Sequence, residues 1–530
     1  ATGSFDLVDN RLLNRSVTTN VLDRIVSLTP GIYVKGTNKT TSDASNVIIR
    51  GQSTLFGSTA PLIILDNFPY DGSLQNINPN DIESITILKD AAAASIWGAR
   101  AGNGVIVITS KKGKLGKHQI SLNSNISVQK KPDLWNVNQI SSGDFIDQEK
   151  FLYSQGYYQK YFASTAYQAI TPVVQLLHNV DAGIISSADA NAQIDAMKNY
   201  DDRNDIYKYL YRTTVNQQYH MDVSGATPNI NYFLSVGWDH NLPNLVSQKY
   251  DRVSLRSLNS FKLSEKLQAD AGLSFIETAN KSGNNSGYYL SQGSGSLYPY
   301  ARLADATGNP LPVNLSYSPQ FIQTAQSQGL LNWEYKPLAD INTSNNVNSI
   351  RDYLVNASLK YQILPFLNAE VRYQFENQIA TQNNINSDSS FYARDLINKF
   401  TQVSSSGSLT YPIPVGGVQV LSNSELVSHQ GRFQIVINKV LNKKHQLTGL
   451  AGMEVRSLIT TSNSSTNYGY DEDYYTINNS INYTTSYKFY KNIGKGYVPN
   501  SLSIDKKTDH FLSYYGNLAY TYDKRYILSA

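Results

Sequence analysis

The chain has 530 residues, no cysteine and a net charge of +4 at pH 7. Its length exceeds one ordinary core. The missing thiols exclude disulfides, thiolate metal sites and cysteine nucleophiles, and the nearly balanced charge argues against a nucleic-acid binder. No run of about 18 apolar residues occurs, so no transmembrane helix is expected; strands that cross a membrane are shorter and half polar, and stay open as a reading. The first residues, ATGSFDLVDN, lack a charged-then-apolar leader, and KRYILSA at the other end sits in a strand pattern. Both ends read as cuts within a longer protein.

The first predicted element is a short helix capped by Thr19 or Asn20, with Leu22, Ile25, Val26 and Thr29 on one face and Pro30-Gly31 as its stop. Four strands follow, at 47–50, 62–65, 82–88 and 105–109. Asp90 caps a second short helix through 91–94, Gly98 lies near its end, and Gly102 and Gly104 permit a tight return into VIVITS. The glycines fit neither G-x-x-x-x-G-K-[ST] nor a G-x-G-x-x-G that opens a helix after a strand, so nucleotide binding is not expected. Arg50, Asp66 and Asp71 fall near strand ends, where turn chemistry and ion pairing are expected in preference to ligand contact.

Beyond KKGKLGKH, which reads as a hinge, the pattern changes to period two. Ile120, Leu122, Ile126 and Val128 share one face, with Gln119, Ser121, Asn123, Asn125 and Ser127 opposite. The same alternation runs through Ile230–Trp238, Tyr353–Tyr361, Leu367–Phe375 and Leu512–Tyr522. Strands are predicted at 118–130, 213–225, 229–240, 250–262, 267–279, 349–362, 366–379, 430–440, 445–458 and 509–522, with an eleventh starting near 525. The joins at 226–228, 263–266, 363–365, 441–444 and 523–524 are short, whereas the alternating ones at 131–212, 280–348, 380–429 and 459–508 are long and only 241–249 is modest. Short turns on one rim and long loops on the other distinguish an outer-membrane barrel from a soluble sandwich. Trp238 and Tyr522, near strand ends, suit interfacial girdles.

The long loops contain helical stretches, SGDFIDQEKFLYSQ and SADANAQIDAMKNYDDRNDIYKYLY, and tyrosine-rich segments. Tyr288, Tyr289, Tyr298 and Tyr300 are candidate solute contacts, since a phenol offers a flat apolar face beside hydrogen-bonding neighbours; packing is the competing role. Asp471, Glu472 and Asp473 are weak metal candidates without EF-hand spacing. His118, His178, His220 and His240 show no metal or catalytic spacing, and no nucleophile elbow is present, so neither an enzyme nor a cofactor is expected.

Arg50-Gly51, then PLIILDNFP with Asp66, then INPNDIESITILKDAAAASIWGARAGNGVIVITSKKG with Lys89, Asp90, Trp97, Gly98, Arg100, Gly102 and Gly104, together resemble the plug domain of SusC/RagA-type TonB-dependent transporters. These are outer-membrane importers of Bacteroidetes. The match is dense over 17–114 and continues by pattern; Asn67 stands where such plugs usually carry glycine, and Trp97 where tyrosine is usual. The resemblance implies an α/β plug domain, 1–115, inside a transmembrane antiparallel β-barrel of about 22 strands, with 116–530 supplying the N-terminal half, about 10–11 strands, and long extracellular loops. It also implies import of oligosaccharides or peptides, a SusD-like surface lipoprotein as lid, dimers of such pairs, and contact with outer-membrane lipid. TonB would pull through a segment preceding the plug. A structural component built on such a barrel, or a siderophore-type receptor, is the alternative.

Overall fold

The computed structural model describes residues 5–34, 47–49, 51, 59–89, 101–116, 118–164, 167–284, 287, 290–292, 295–441, 444–478, 480–523 and 525–529. Seven strands belong to the leading part of the chain: β1 (Phe5–Asp9), β2 (Ile32–Val34), β3 (Val47–Ile49), β4 (Leu62–Leu65), β5 (Phe68–Pro69), β6 (Ile82–Leu88) and β7 (Val105–Ser110). Five of them form a mixed sheet in the order β1-β6-β7-β4-β5, parallel only between β4 and β7, while β2 and β3 pair separately. The helix Val21–Val26 starts at Asn20, whose side chain accepts from the Leu22 amide. It buries Leu22 and Ile25 against Ile85, Ile87, Ile106 and Ile108 of the sheet.

β1 is an addition to the sequence reading. FDLVD shows no clean alternation, with Phe5 and Leu7 exposed and only Val8 buried, and its pairing to β6 in the register Phe5↔Leu88 is wholly non-local. The helix expected at 91–94 lies outside the described residues.

A direct passage leads from β7 into the second unit. Gly113 packs so tightly that a Cβ there would come within 2.2 Å of the Gly225 carbonyl oxygen, and Asn231 donates to the Gly113 carbonyl at 2.7 Å. Then come β8 (Gln119–Gln129), β9 (Thr214–Ala226), β10 (Ile230–Leu242), β11 (Lys249–Lys262), β12 (Leu267–Ser282), the short pair β13 (Ser291–Gln292) and β14 (Gly295–Ser296), β15 (Ser344–Leu364) and β16 (Leu367–Asn386). The remainder are β17 (Gln402–Val403), β18 (Leu409–Thr410), β19 (Gly417–Leu441), β20 (His445–Tyr470), β21 (Tyr487–Lys488), β22 (Lys495–Gly496), β23 (Ser503–Tyr522) and β24 (Tyr526–Ser529). Leaving out the two-residue pairs, eleven strands make one antiparallel meander in which every chain neighbour is a spatial neighbour. Ile120, Leu122, Ile126 and Val128 on β8, and Val253 and Leu255 on β11, are exposed on the outer face; Arg252, Ser254 and Arg256 between them are buried on the inner one.

Several strands outrun the sequence reading at their loop ends. β19 has 25 residues and β20 has 26, whereas a tilted strand crosses the bilayer in about 9–11. The extra segments, 417–429 and 459–470, pair as Asn423↔Asn463 and Ser424↔Ser462, and the second is rich in Asn, Ser and Thr. There Val418 and Tyr468 pack into a core with Ile397 and Phe400, and Ser428 bonds the plug, so burial follows these neighbours and not lipid, and the apolar alternation that betrays a strand disappears.

The long connections fold into a layer of their own. Helices Ser142–Ser154, Pro172–Asp181, Ser187–Met197, Pro319–Ser327 and Phe391–Phe400 gather there. A core around the fully buried Trp333 takes in Tyr317, Phe321, Tyr335, Phe391 and Tyr490. The indole donates to Asp395 at 2.9 Å, which also accepts from Tyr317.

Candidate solute chamber and plug anchors

The first unit is bonded to the inner face of the meander from several directions. Asp66 and Asn67 form the two-residue turn between β4 and β5, with φ of 48° and 73°. Such turns require left-handed backbone, which Asn and Asp tolerate, so Asn67 serves where glycine would be usual. The turn aims the Asp66 carboxylate at the Ser110 amide (2.9 Å) and at Arg256 of β11 (2.6 Å). Asp71 is gripped by Arg456 of β20 through two bonds of 2.9 and 2.6 Å, and also accepts from Ser428 and Gln430 of β19. Asp81 meets His220 of β9 at 2.8 Å. Ion pairing is therefore the role of Asp66 and Asp71, as their positions at strand ends led one to expect.

Between these pairs lie further contacts. Tyr70 donates to Asp352 of β15 at 2.8 Å, and Asn76 reaches the same oxygen at 2.8 Å. Burial, with Asp352 and Glu376 nearby, holds the Tyr70 phenol well above its ordinary pKa, so it stays a donor. Gly72 is required for this approach, since a Cβ would lie 2.4 Å from a Glu376 carboxylate oxygen. Asn78 donates to Ser254 at 2.9 Å, and Arg252, fully buried, donates to Asp239 and to the Gln75 and Ile77 carbonyls. Leu354 of β15 joins the core of the first unit outright.

On the long-loop side of these anchors, a cavity of about 630 Å³ opens between Thr18–Asn20 and Gln75 below and the ends of β8–β12 around it. Its lining includes Gln129, Asn216, Asn241, Tyr250 and Asn280, with Asp23 and Lys130 the only charged members among the described residues. Amides and hydroxyls both donate and accept, so the chamber suits a neutral solute rich in hydroxyl or peptide groups. The sequence carried no specific signal for these residues beyond their place on polar inner faces.

Of the residues singled out in the sequence, Gly51, Asp66, Lys89, Gly102 and Gly104 are described, while Arg50, Asp90, Trp97, Gly98 and Arg100 lie outside the described residues. Lys89 pairs with Asp6 of β1 and donates to the Pro30 carbonyl at 2.6 Å. Gly104, at φ 90°, turns the chain into β7. Tyr288 and Tyr289 also lie outside the described residues. Tyr298 and Tyr300 are buried within the loop layer, where Tyr300 donates to Glu149 at 2.7 Å. The Asp471 carboxylate accepts from the Asp473 and Tyr474 amides, which shapes a turn; among the described residues no group of three acidic or histidine side chains is placed to hold a metal.

The loop layer contains a titratable device. Burial pushes the Asp202 carboxyl up to about 6, against a bond from Gln139. Its folded pKa exceeds the ordinary 3.8, so its contribution to stability is full below about 4 and is lost as pH rises through about 6. Helices 142–154 and 187–197 are expected to exchange amide hydrogen more slowly at pH 5 than at pH 7.5, after correction for intrinsic rates. Asp202→Asn should flatten that difference, and an unchanged difference would assign it to other groups.

A domain bonded into the inner face of a meander whose outer face is apolar, with short turns on one rim and long loops on the other, defines a plugged outer-membrane β-barrel protein. Comparison with known proteins agrees. Residues 1–105 match the TonB-dependent Receptor Plug Domain. The TonB-dependent receptor SusC of Bacteroides thetaiotaomicron is 30% identical over 45% of this chain and 20% of its own length. TonB-dependent receptor P39 of Formosa agariphila is 22% identical over 100% of this chain and 43% of its own. The structure of the RagAB peptide transporter superposes with a TM-score of 0.70 at 20% identity, over 99% of this chain and 54% of that one. The chain thus spans less than half the length of these two relatives and about half of that structure. The chain carries the plug domain of TonB-dependent receptors and is similar to their SusC/RagA type.

Proposed function

We propose that the protein to which this chain belongs imports oligosaccharides or peptides across the outer membrane, driven by TonB. The chamber carries this reading: it is polar, nearly free of charge, large enough for a small solute, and floored by a bonded plug. The RagAB peptide transporter, whose fold the chain resembles, is in keeping with peptide cargo. A SusD-like lipoprotein closes the mouth over the loop layer, and TonB pulls on the plug from the periplasm. The magnitudes are compatible. Each charge that crosses the inner membrane releases about 2.3 kcal/mol per 100 mV, and each plug bond is worth about 1–3 kcal/mol net. A few protons therefore suffice to open part of the interface.

The test is uptake of fluorescent maltodextrins and tryptic peptides by cells that carry the full-length protein, with and without a protonophore. Uptake should cease when the inner membrane is de-energised and fall when the SusD-like partner is deleted. Undiminished uptake without energy would refute the reading.

A further inference from the structure

We propose that solute leaves the chamber along the flank of the plug that faces β11, β12 and β15, while the opposite flank keeps the plug seated in the lumen. This rests on the import reading above and adds the route.

Three cavities lie along one flank. The chamber is lined on β11 by Tyr250 and on β12 by Asn280 and Ser282. Toward the short-turn rim, four residues further on β11 and six on β12, Ser254 and Ser274 line a void of about 20 Å³ together with Asp352, with Ile77 and Asn78 as its plug side. That is about one water's worth of space. Further still, Leu258, Ser260, Gly272, Asn356 and Ser358 line a third cavity of about 320 Å³ behind the Asp66–Asn67 turn. On β11 the alternate inner-face positions 250, 254, 258 and 260 therefore meet all three spaces in succession.

Two barriers separate them, and both sit on the same strand. Arg252 closes the upper one by bonding the Gln75 and Ile77 carbonyls, and the Arg256–Asp66 pair closes the lower one. The flank toward β16, β19 and β20 is built differently. There Gln374 and Gln430 both donate to the Pro69 carbonyl, Ser428 and Arg456 hold Asp71, and Arg432 donates to the Asn67 carbonyl. Side chains from three strands converge on residues 67–71 there; among the described residues ten hydrogen bonds join the plug to β16, β19 and β20, against six to β11, β12 and β15, which include Asn78–Ser254, Tyr70–Asp352 and Asn76–Asp352. A pull that opens the fewest bonds opens the first flank, and the spaces it joins carry hydroxyls and amides, such as Tyr250, Ser254, Ser274, Asn356 and Ser358, beside apolar and charged side chains such as Leu354 and Asp270.

These 530 residues hold no cysteine, so introduced thiols report cleanly. Ser254→Cys and Ser274→Cys on one flank, and Ser428→Cys on the other, all start from buried positions. Each is placed in a full-length protein with no other cysteine. Cells are then treated with a small charged methanethiosulfonate, with and without a protonophore, while uptake of fluorescent maltodextrins and tryptic peptides is followed in parallel. Energised cells should modify Ser254→Cys and Ser274→Cys at least tenfold faster than de-energised ones, with Ser428→Cys unchanged. Equal acceleration of Ser428→Cys would overturn the route, because the plug would then be leaving whole. So would energised uptake without acceleration of the first pair, with the import reading intact. Absence of any energy-dependent uptake would remove the import reading itself, and the route with it.

Discussion

Arg252→Ala is expected to loosen the plug by about 4 kcal/mol, the cost of breaking a buried pair and stranding its partner. Arg252 and Asp239 are 1% and 2% exposed, so neither can recover the loss from water. The substitution leaves Asp239 charged without its partner and strips a donor from the Gln75 and Ile77 carbonyls. Such a change corresponds to about a thousandfold in an opening equilibrium. It should appear as faster hydrogen exchange at the Asn76 and Ile77 amides, which close the turn at 74–77. The double variant Arg252→Ala/Asp239→Ala should be milder than the single one, because no unpaired charge remains. A single variant that accelerates exchange less than tenfold would show that the arginine fills space and does not hold the plug.

Asp71→Ala comes next, with an expected cost of about 3 kcal/mol, at the low end for a buried pair. Arg456 would keep Asp509 at 3.0 Å, but that carboxylate is 63% exposed and a weaker partner. Exchange at the Tyr70 amide, bonded to the Ile63 carbonyl at 2.9 Å, is the local readout. In a double-mutant cycle, Asp71→Ala and Arg456→Ala should couple by about 1.5 kcal/mol or more. Additive effects would mean that the two side chains stabilise the plug independently, despite two bonds between them.

Much of the wall was legible in the chain itself. Where strands cross lipid, water is excluded from one face only, and residues such as Ile120, Leu122, Val253 and Leu255 must alternate with polar ones. That physical demand writes strand position, face and turn length directly into the sequence. It lapses at 417–429 and 459–470, where the strands pack against loop helices and the plug, and there no periodicity marks them. The loop tyrosines illustrate another limit. Tyr298 and Tyr300 have the composition of solute contacts, yet they are interior to a loop core with Ile146, Val173 and Ile194 that exists only once two long connections pack together.

The sequence by itself determined the class of protein, the two units, and the faces of the wall strands, because lipid imposes its pattern residue by residue. The tertiary structure alone decided which wall residue grips which plug residue, as Asp71 and Arg456 stand 385 positions apart. It also decided that Tyr250, Ser254 and Leu258 line successive spaces. Those outcomes depend on strand register and on the seating of one domain within another, and no local rule of composition or periodicity encodes either.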